Sequence, residues 1–314
     1  MKPLLILTGP TAVGKTSLSI ALAKAVNGEI ISADSMQVYR KMNIGSAKIK
    51  PEEMEGVPHH LIDVLDPAEK FDVVTFQHMA KEAMTGIWER NRIPILTGGT
   101  GFYIQSVLYD IDFTSHGGDP SFRHELEELA RQKGPQFLHG LLTEKDPDAA
   151  AQIHPNNVKR VIRALEFYEQ TGEQISVHNT EQKQRTSPYR SLYFVLNEPR
   201  EILYRKIEQR IDKMMDEGLL EEVENLHREG YTKDMTSMQG LGYKELLSYL
   251  DGEVSLDEAV RILKRDTRHF AKRQLTWFRR EKDVIWLQKE VFDFSGKKIL
   301  DYMLALCRER NILK

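Results

Sequence analysis

The stretch LTGPTAVGKTS, residues 7–17, constrains this chain more than any other. Gly9, Gly14, Lys15 and Thr16 stand at the spacing G-x-x-x-x-G-K-T. An apolar run (LLILTG, 4–9) precedes the motif, and a helical pattern (SLSIALAKAVN, 17–27) follows it. In that context the motif folds into a loop around phosphate. Glycines let backbone N–H groups converge on phosphate oxygens, and the helix N-terminus adds its dipole. With ordinary glycine usage, about one chain in a hundred of this length would carry a match by chance. Gly9, Pro10, Thr11, Ala12, Val13, Gly14, Lys15 and Thr16 are therefore candidate phosphate ligands. Lys15 supplies a point charge, and the Thr16 hydroxyl is a candidate Mg²⁺ ligand. The motif does not give the reaction. A kinase or ATPase also needs a carboxylate for Mg²⁺ on a second strand. The nearest pattern is LIDVLD, whose Asp63 and Asp66 read equally well as turn and cap residues.

Short apolar runs recur at EIISA (29–33), LIDVL (61–65), IPILTGG (93–99), SLYFVL (191–196) and VIWL (284–287). Helical patterns alternate with them, the longest early one at 73–91. This rhythm predicts an α/β fold, a P-loop NTPase-like parallel sheet flanked by helices. It breaks at TSHGGDP (114–120). Two helical stretches follow, at 121–142 and 147–171, with no strand between them, and RTSPYR (185–190) precedes the return to the sheet. The expected organisation is a P-loop catalytic core at 1–116 and 191–314, interrupted by an all-helical insertion domain at 117–190. After the return the chain reads as mostly helical, at 200–218, 221–230 and 255–281.

No run of 18 apolar residues is present, so no membrane span is expected. The single Cys307 excludes internal disulfides and Cys-based zinc modules, which fits a cytoplasmic protein. Formal net charge is −3, so any nucleic-acid binding must come from local clustering of basic residues.

Several clusters are candidates. Asp34 sits just past a buried strand, at the sheet edge where ligands bind. It reads as a Mg²⁺ ligand, a general base or a turn residue. The end of the next long strand, LTGGTGFY, offers glycines for close approach of a ligand and Thr100 for a hydrogen bond. Along 261–280, Arg261, Lys264, Arg265, Arg268, Lys272 and Arg279 fall within about 100° of one another on a helix, opposite Leu263, Phe270 and Trp277. Only Asp266 and Glu281 offset that charge in the local sequence, which favours phosphate contacts. Lys159, Arg160 and Arg163 form a second basic patch, with pairing to Glu166 as the simple alternative. His59 and His60 lack zinc-spaced partners and read as hydrogen-bonding residues, and Met214 and Met215 read as core.

The strings GPTAVGKT, ISADSMQVYRKMNIGSAK, PHHLID, ILTGGTGFY, IHPNNVKRVIRALE, GYKE and AKRQLTWFR occur in order along nearly the whole chain. Together they resemble the tRNA dimethylallyltransferases, the bacterial tRNA isopentenyltransferases. The single cysteine matches the bacterial form, without the zinc finger of some eukaryotic relatives. The resemblance implies transfer of a dimethylallyl group from dimethylallyl diphosphate to N6 of adenosine 37 in tRNA, with release of diphosphate and with Mg²⁺ as cofactor. It implies that the loop residues hold the donor diphosphate, that Asp34 is the catalytic base, that Thr100 touches the substrate adenosine, and that Arg210 of KIEQR contacts the diphosphate. The partner is the tRNA anticodon stem-loop, bound by a monomer. Implied tRNA contacts are Asp34, Ser35, Met36 and Gln37; Thr100; Arg123; Lys159, Arg160, Val161, Ile162 and Arg163; Gln239, Gly240, Leu241, Gly242, Tyr243 and Lys244; and Lys272, Arg273, Gln274, Leu275, Thr276, Trp277, Phe278 and Arg279. Two readings compete with this one: a P-loop kinase acting on a small molecule or nucleoside, and a non-enzymatic RNA-binding switch.

Overall fold

The computed structural model describes residues 1–113 and 120–313, with the side chains of Pro120 and Lys183 excepted. The first part of the chain forms β1 (Pro3–Thr8), α1 (Lys15–Val26), β2 (Gly28–Ala33), β3 (His59–His60), α2 (Val73–Glu89), β4 (Ile93–Gly98) and α3 (Gly101–Leu108). Next come α4 (Pro120–Lys133), α5 (Pro135–Lys145), α6 (Pro147–Gln152), α7 (Val158–Thr171) and α8 (Ile175–Gln184). The last part holds β5 (Arg190–Asn197), α9 (Arg200–Asp216), α10 (Leu219–Arg228), α11 (Tyr243–Leu250), α12 (Leu256–Phe278), β6 (Val284–Gln288) and α13 (Gly296–Glu309). The chain divides into two compact units, Met1–Leu108 with Ser187–Lys314, and Tyr109–Thr186. Residues 114–119 of the expected break, and with them the expected boundary at 116–117, lie outside the described residues.

The first unit is built on one six-stranded sheet in the order β3-β2-β4-β1-β5-β6. Every pairing in it is parallel. Leu4, Leu5, Ile6 and Leu7 of β1 are wholly buried, as a central strand covered on both faces must be, and that burial explains its unbroken apolar run. The expected strand at 61–65 does not form. The sheet takes His59–His60 instead, because Leu61 and Asp63 adopt left-handed φ values of 60° and 56° that no strand accommodates. Only an isolated bridge between Tyr39 and Leu65 remains of it.

The second unit is all helical among its described residues. The stretch expected as one helix at 121–142 is two. Gly134, at φ 85°, ends α4, and Pro135 opens α5. The stretch expected at 147–171 breaks likewise around Pro155, between α6 and α7. Leu126, Leu138, Leu142, Val161, Ile162 and Leu165 centre its own core. A buried Asp146 caps α6 at the Ala149 N–H, and also accepts from the Ser176 N–H at 2.9 Å and the Ser176 hydroxyl at 2.7 Å.

Candidate active site

Strand register sets the site. Ala33 of β2 pairs with Gly98 of β4, and Gly98 pairs with Thr8 of β1. Three chain segments therefore leave the sheet side by side at its C-terminal edge: Asp34 after β2, Gly99 and Thr100 after β4, and the glycine loop after β1. Neighbouring strands are about 5 Å apart, so loop and carboxylate emerge on the order of 10 Å apart. This is the edge at which open parallel sheets bind ligands.

The loop returns into α1 through Gly14, which caps the helix at φ 96° with no side-chain hydrogen bond, so the first N–H groups of α1 are left for a ligand. A Cβ on Gly9 would lie 2.3 Å from the Leu196 carbonyl oxygen, so only glycine lets β1 turn beside β5. Lys15 folds over the loop and donates to the carbonyls of Gly9 (2.9 Å) and Pro10 (2.8 Å). Burial, with Arg210 nearby, pulls its ammonium down to about 7, against the opposing charge of Asp34. Arg210 makes no hydrogen bond or ion pair among the described residues. Burial lowers its pKa too, again against the Asp34 charge. Two cations and one carboxylate thus share a partly desolvated space, with less anion than the cations call for.

Asp34 is both a turn residue and an available carboxylate. Its Oδ1 accepts the Met36 N–H at 2.8 Å and the Gln37 N–H at 3.4 Å, an Asx turn that fixes the group. Oδ2 has no protein partner among the described residues. Thr100 donates its N–H to the Ala33 carbonyl and accepts from Tyr103 at the start of α3, while its hydroxyl is free. The glycines around Thr100 allow close packing within the protein. A Cβ would strike the Ala33 oxygen at Gly98 (2.1 Å), the Gln274 amide at Gly99 (2.1 Å) and the Trp277 ring at Gly101 (2.2 Å).

A cavity of about 320 Å³ opens here. Its polar wall includes Thr11, Asp34, Ser35, Thr100, Arg210, Lys244 and Arg273, and its apolar wall Ile207, Ile211, Met214, Leu219, Leu263 and Phe270. Ile207, Arg210, Ile211 and Met214 follow i, i+3, i+4, i+7 along α9, so one helix face delivers both the guanidinium and the apolar surface. Met214, expected as core, is a wall of the cavity. Gln239, Gly240, Leu241 and Gly242 line it as well.

Several of the expected RNA contacts make bonds inside the protein. Gln274 is buried. It accepts the Thr11 N–H at 2.9 Å and donates to the Gly99 carbonyl at 3.0 Å, tying α12 to the loop and to the end of β4. Tyr243 is wholly buried, donating to Glu222 at 2.7 Å. The same carboxylate holds the N–H groups of Asn43, Ile44 and Gly45. Gln37 ties Ser32 to the carbonyl of Ser46. Val161, Ile162 and Phe278 are core side chains, and Leu275 is half-buried. Arg123 donates from Nε and Nη2 to the two oxygens of Glu166, at 2.9 and 2.7 Å. Lys159, Arg160 and Arg163 are exposed and have no acidic partner among the described residues.

The basic stripe on α12 divides in two. Arg261 pairs with Glu258, Lys264 with Asp212, Arg265 with Asp266, and Arg268 with Glu208. Glu208 and Asp212 come from α9, far away in sequence, so local charge counting missed them. Beyond residue 268, Lys272, Arg273, Arg279 and Arg280 are exposed without acidic partners among the described residues. Lys272, Arg273 and Arg280 line a shallow groove with His269, Thr276 and Trp277. Opposite, Leu263 is buried, whereas Phe270 and Trp277 are half-buried.

Neither Asp63 nor Asp66 reaches the cavity. Asp63 pairs with Lys48 at 2.5 Å, and Asp66 accepts from the Tyr231 hydroxyl and the Ala68 N–H. The strands flanking β1 end in Gly98-Gly99-Thr100 and in Asn197-Glu198, and Glu198 is buried against Lys206 at 2.6 Å. Beside the loop, the carboxylate at the end of β5 is thus engaged through Oε2 by lysines. His60 bonds Glu29 and His59 bonds the Val57 carbonyl. No group of three or more His, Cys, Asp or Glu that could hold a metal occurs among the described residues. No helix among them is long and apolar enough to cross a membrane.

A phosphate loop that shares a cavity with a fixed carboxylate and an apolar wall defines a P-loop protein built for group transfer from a phosphorylated donor. A family described as IPP transferase matches residues 37–281, and one described as isopentenyl transferase matches residues 2–66. The chain belongs to the IPP transferase family. It is 60% identical over 314 residues to a tRNA dimethylallyltransferase of Lachnoclostridium phytofermentans, covering 100% of both chains. It is 53% identical to one of Carboxydothermus hydrogenoformans, covering 95% of this chain and 94% of that one. Among solved structures it resembles the tRNA isopentenylpyrophosphate transferase of Bacillus halodurans, with a TM-score of 0.75, 46% identity and coverage of 99% and 98% of the two chains. It also resembles a eukaryotic dimethylallyltransferase acting on tRNA, with a TM-score of 0.81, 31% identity and coverage of 92% of this chain and 74% of that one.

Proposed function

We propose that this chain transfers a dimethylallyl group from dimethylallyl diphosphate to N6 of adenosine 37 in tRNA. The observation that carries this reading is the Asp34 carboxylate. One oxygen is locked in a turn and the other is open, on a cavity shared with Arg210 and the phosphate loop. Adenine N6 is a weak nucleophile because its lone pair is delocalised into the ring. As N6 bonds to the allylic carbon it becomes acidic, and Asp34 Oδ2 takes its proton. The bond from that carbon to the bridging oxygen breaks, and its electron pair leaves with diphosphate. Lys15, Arg210 and the loop amides stabilise the growing charge. The apolar wall of Ile207, Ile211, Met214 and Phe270 receives the dimethylallyl group, and Thr100 orients the adenosine.

The exposed Thr16 hydroxyl, with no carboxylate cage around it, fits Mg²⁺ carried largely by the diphosphate and water. Held there, the ion would supply positive charge to the leaving group. Unpaired Lys159, Arg160 and Arg163 of α7, and Lys272, Arg273 and Arg279, are the phosphate contacts for the anticodon stem-loop, bound by a monomer. Adenosine 37 is unpaired in its loop, so extruding it costs about a few kcal/mol of unstacking at most. The test is mass analysis of nucleosides from unmodified tRNA incubated with the protein, dimethylallyl diphosphate and Mg²⁺. Dimethylallyladenosine is the expected product. Phosphoryl transfer from ATP without a prenyl donor would overturn the reading in favour of a kinase.

A further inference from the structure

Lys289 follows β6, whose Gln288 pairs with Asn197 of β5 at the sheet edge that carries the phosphate loop. It lies beyond both family matches, which end at residues 66 and 281. Its side chain is only 16% exposed, and its Nζ lies 3.3 Å from Glu198 Oε2. It donates to the Val13 carbonyl, inside the phosphate loop, at 3.1 Å. Glu198 has no exposed side-chain surface, and its Oε2 also takes Lys206 at 2.6 Å. Its Oε1 is buried without a hydrogen-bond partner among the described residues. One buried carboxylate thus faces two ammonium groups, an excess of positive charge that an anion in the loop would balance.

We infer that Lys289 is a positioning residue for the donor diphosphate, acting through the Val13–Gly14 peptide. This rests on the reading of the loop given above. The peptide is trans, so the Val13 carbonyl and the Gly14 N–H point in opposite directions. The carbonyl faces the Lys289 ammonium, so the N–H is held pointing away from it. In loops of this spacing the backbone N–H groups face the phosphates. A cationic hydrogen bond on the carbonyl fixes the plane of the peptide. It also polarises the amide, so the N–H becomes a stronger donor to the anion. The two glycines of the loop differ in a way that calls for such a support. Gly9 is boxed in by the Leu196 carbonyl at 2.3 Å, whereas a Cβ on Gly14 would meet only the Lys289 Nζ, at 3.7 Å. Lys289, from far along the chain, bonds the carbonyl of this peptide and is also the side chain nearest that open position among the described residues.

The test uses the full chain, with inorganic diphosphate in calorimetry and dimethylallyl diphosphate in transfer kinetics. For Lys289→Met, diphosphate affinity is expected to fall by about tenfold or more, the scale of one charge-assisted hydrogen bond. Donor KM rises with it, while kcat and tRNA KM move much less. Lys289→Arg restores most of the loss. Lys206→Met removes the other cation from Glu198 without touching the loop, and keeps diphosphate affinity within about twofold. Should circular dichroism show Lys289→Met unfolded, Lys289→Gln carries the same comparison. Normal diphosphate binding by Lys289→Met overturns the inference, as does an equal loss in Lys206→Met, which would assign the effect to overall charge. Failure of the unsubstituted chain to bind diphosphate would sink the loop reading, and this inference with it.

Discussion

Strand β2 carries a carboxylate at each end, and the two lead opposite lives. Glu29, near the start of the strand, is saturated. Arg90 donates to both oxygens at 3.0 and 2.7 Å, Arg92 adds a third contact at 3.2 Å, and His60 a fourth at 2.7 Å. The Arg90 hydrogen bonds, helped by His60, hold its pKa down to about 2 against the effect of burial. Asp34, five residues later, has one oxygen in a turn and lines a cavity with Arg210, whose charge no partner among the described residues offsets. The first end is knotted to α2 and β3 and has no capacity left for a ligand. The second keeps its capacity, because the chain bonds only enough of it to fix its direction. Chemistry is found where satisfaction is incomplete.

Substitution at the two ends should separate the roles. Asp34→Asn keeps the turn acceptor and removes the base. Transfer is expected to slow by about 10²–10⁴-fold, with tRNA affinity and thermal midpoint nearly unchanged. Glu29→Gln is the mirror case, losing about 2 kcal/mol of stability while each folded molecule keeps its transfer rate. Because the Glu29 pKa is depressed from 4.5 to about 2, its stabilisation is present above pH 4.5 and is lost as pH falls toward 2. Thermal melts of both variants against pH, beside single-turnover rates, would break the comparison if Asp34→Asn melted early or Glu29→Gln turned over slowly.

Lys15 sharpens the same contrast from the cation side. Burial, with Arg210 beside it, draws its ammonium down to about 7. A bound diphosphate favours the charged form, so binding above pH 7 takes up a proton, and affinity weakens as pH rises, by up to about tenfold per unit. Calorimetry in buffers of different ionisation enthalpy reads that proton, and Lys15→Met should remove it. The smallest effects belong to the surface. Alanine at Lys159, Arg160 or Arg163 should weaken tRNA binding and shallow its salt dependence by about 0.7–0.9 per lost phosphate contact. Alanine at Arg261 or Arg265, already held by Glu258 and Asp266, should leave filter-binding curves in place.

The buried strands were legible because a parallel sheet demands continuous apolar runs, and five of the six lie where those runs are. β3 was misplaced by two residues, since no apolar pattern records the left-handed turns at Leu61 and Asp63. Short helices such as α3 and α11, of eight residues each, carry too few turns for periodicity to stand out, and α4–α5 read as one because glycine and proline end a helix without ending its pattern. At the site, Asp34, Thr100, Arg210 and the loop were named from sequence and come to one sheet edge. What sequence could not reveal is pairing at a distance. Glu208 and Asp212 neutralise two of the six cations of the α12 stripe, and Gln274 is spent on backbone atoms 263 and 175 residues away. Likewise, glycines that admit a ligand and glycines that admit a neighbouring helix look alike until the neighbour is in place.

The bond from Gln274 to Thr11 has a consequence in time as well as in space. The phosphate loop is among the first parts of the chain to be translated, yet the side chain that holds it is made 263 residues later. At synthesis rates of about 5–20 residues per second, the wait is on the order of tens of seconds. Strand β1 must also wait for β5, because the helical unit is translated between them. A nascent chain therefore carries its signature motif long before it can use it. The side chain that steadies the loop thus arrives late in translation.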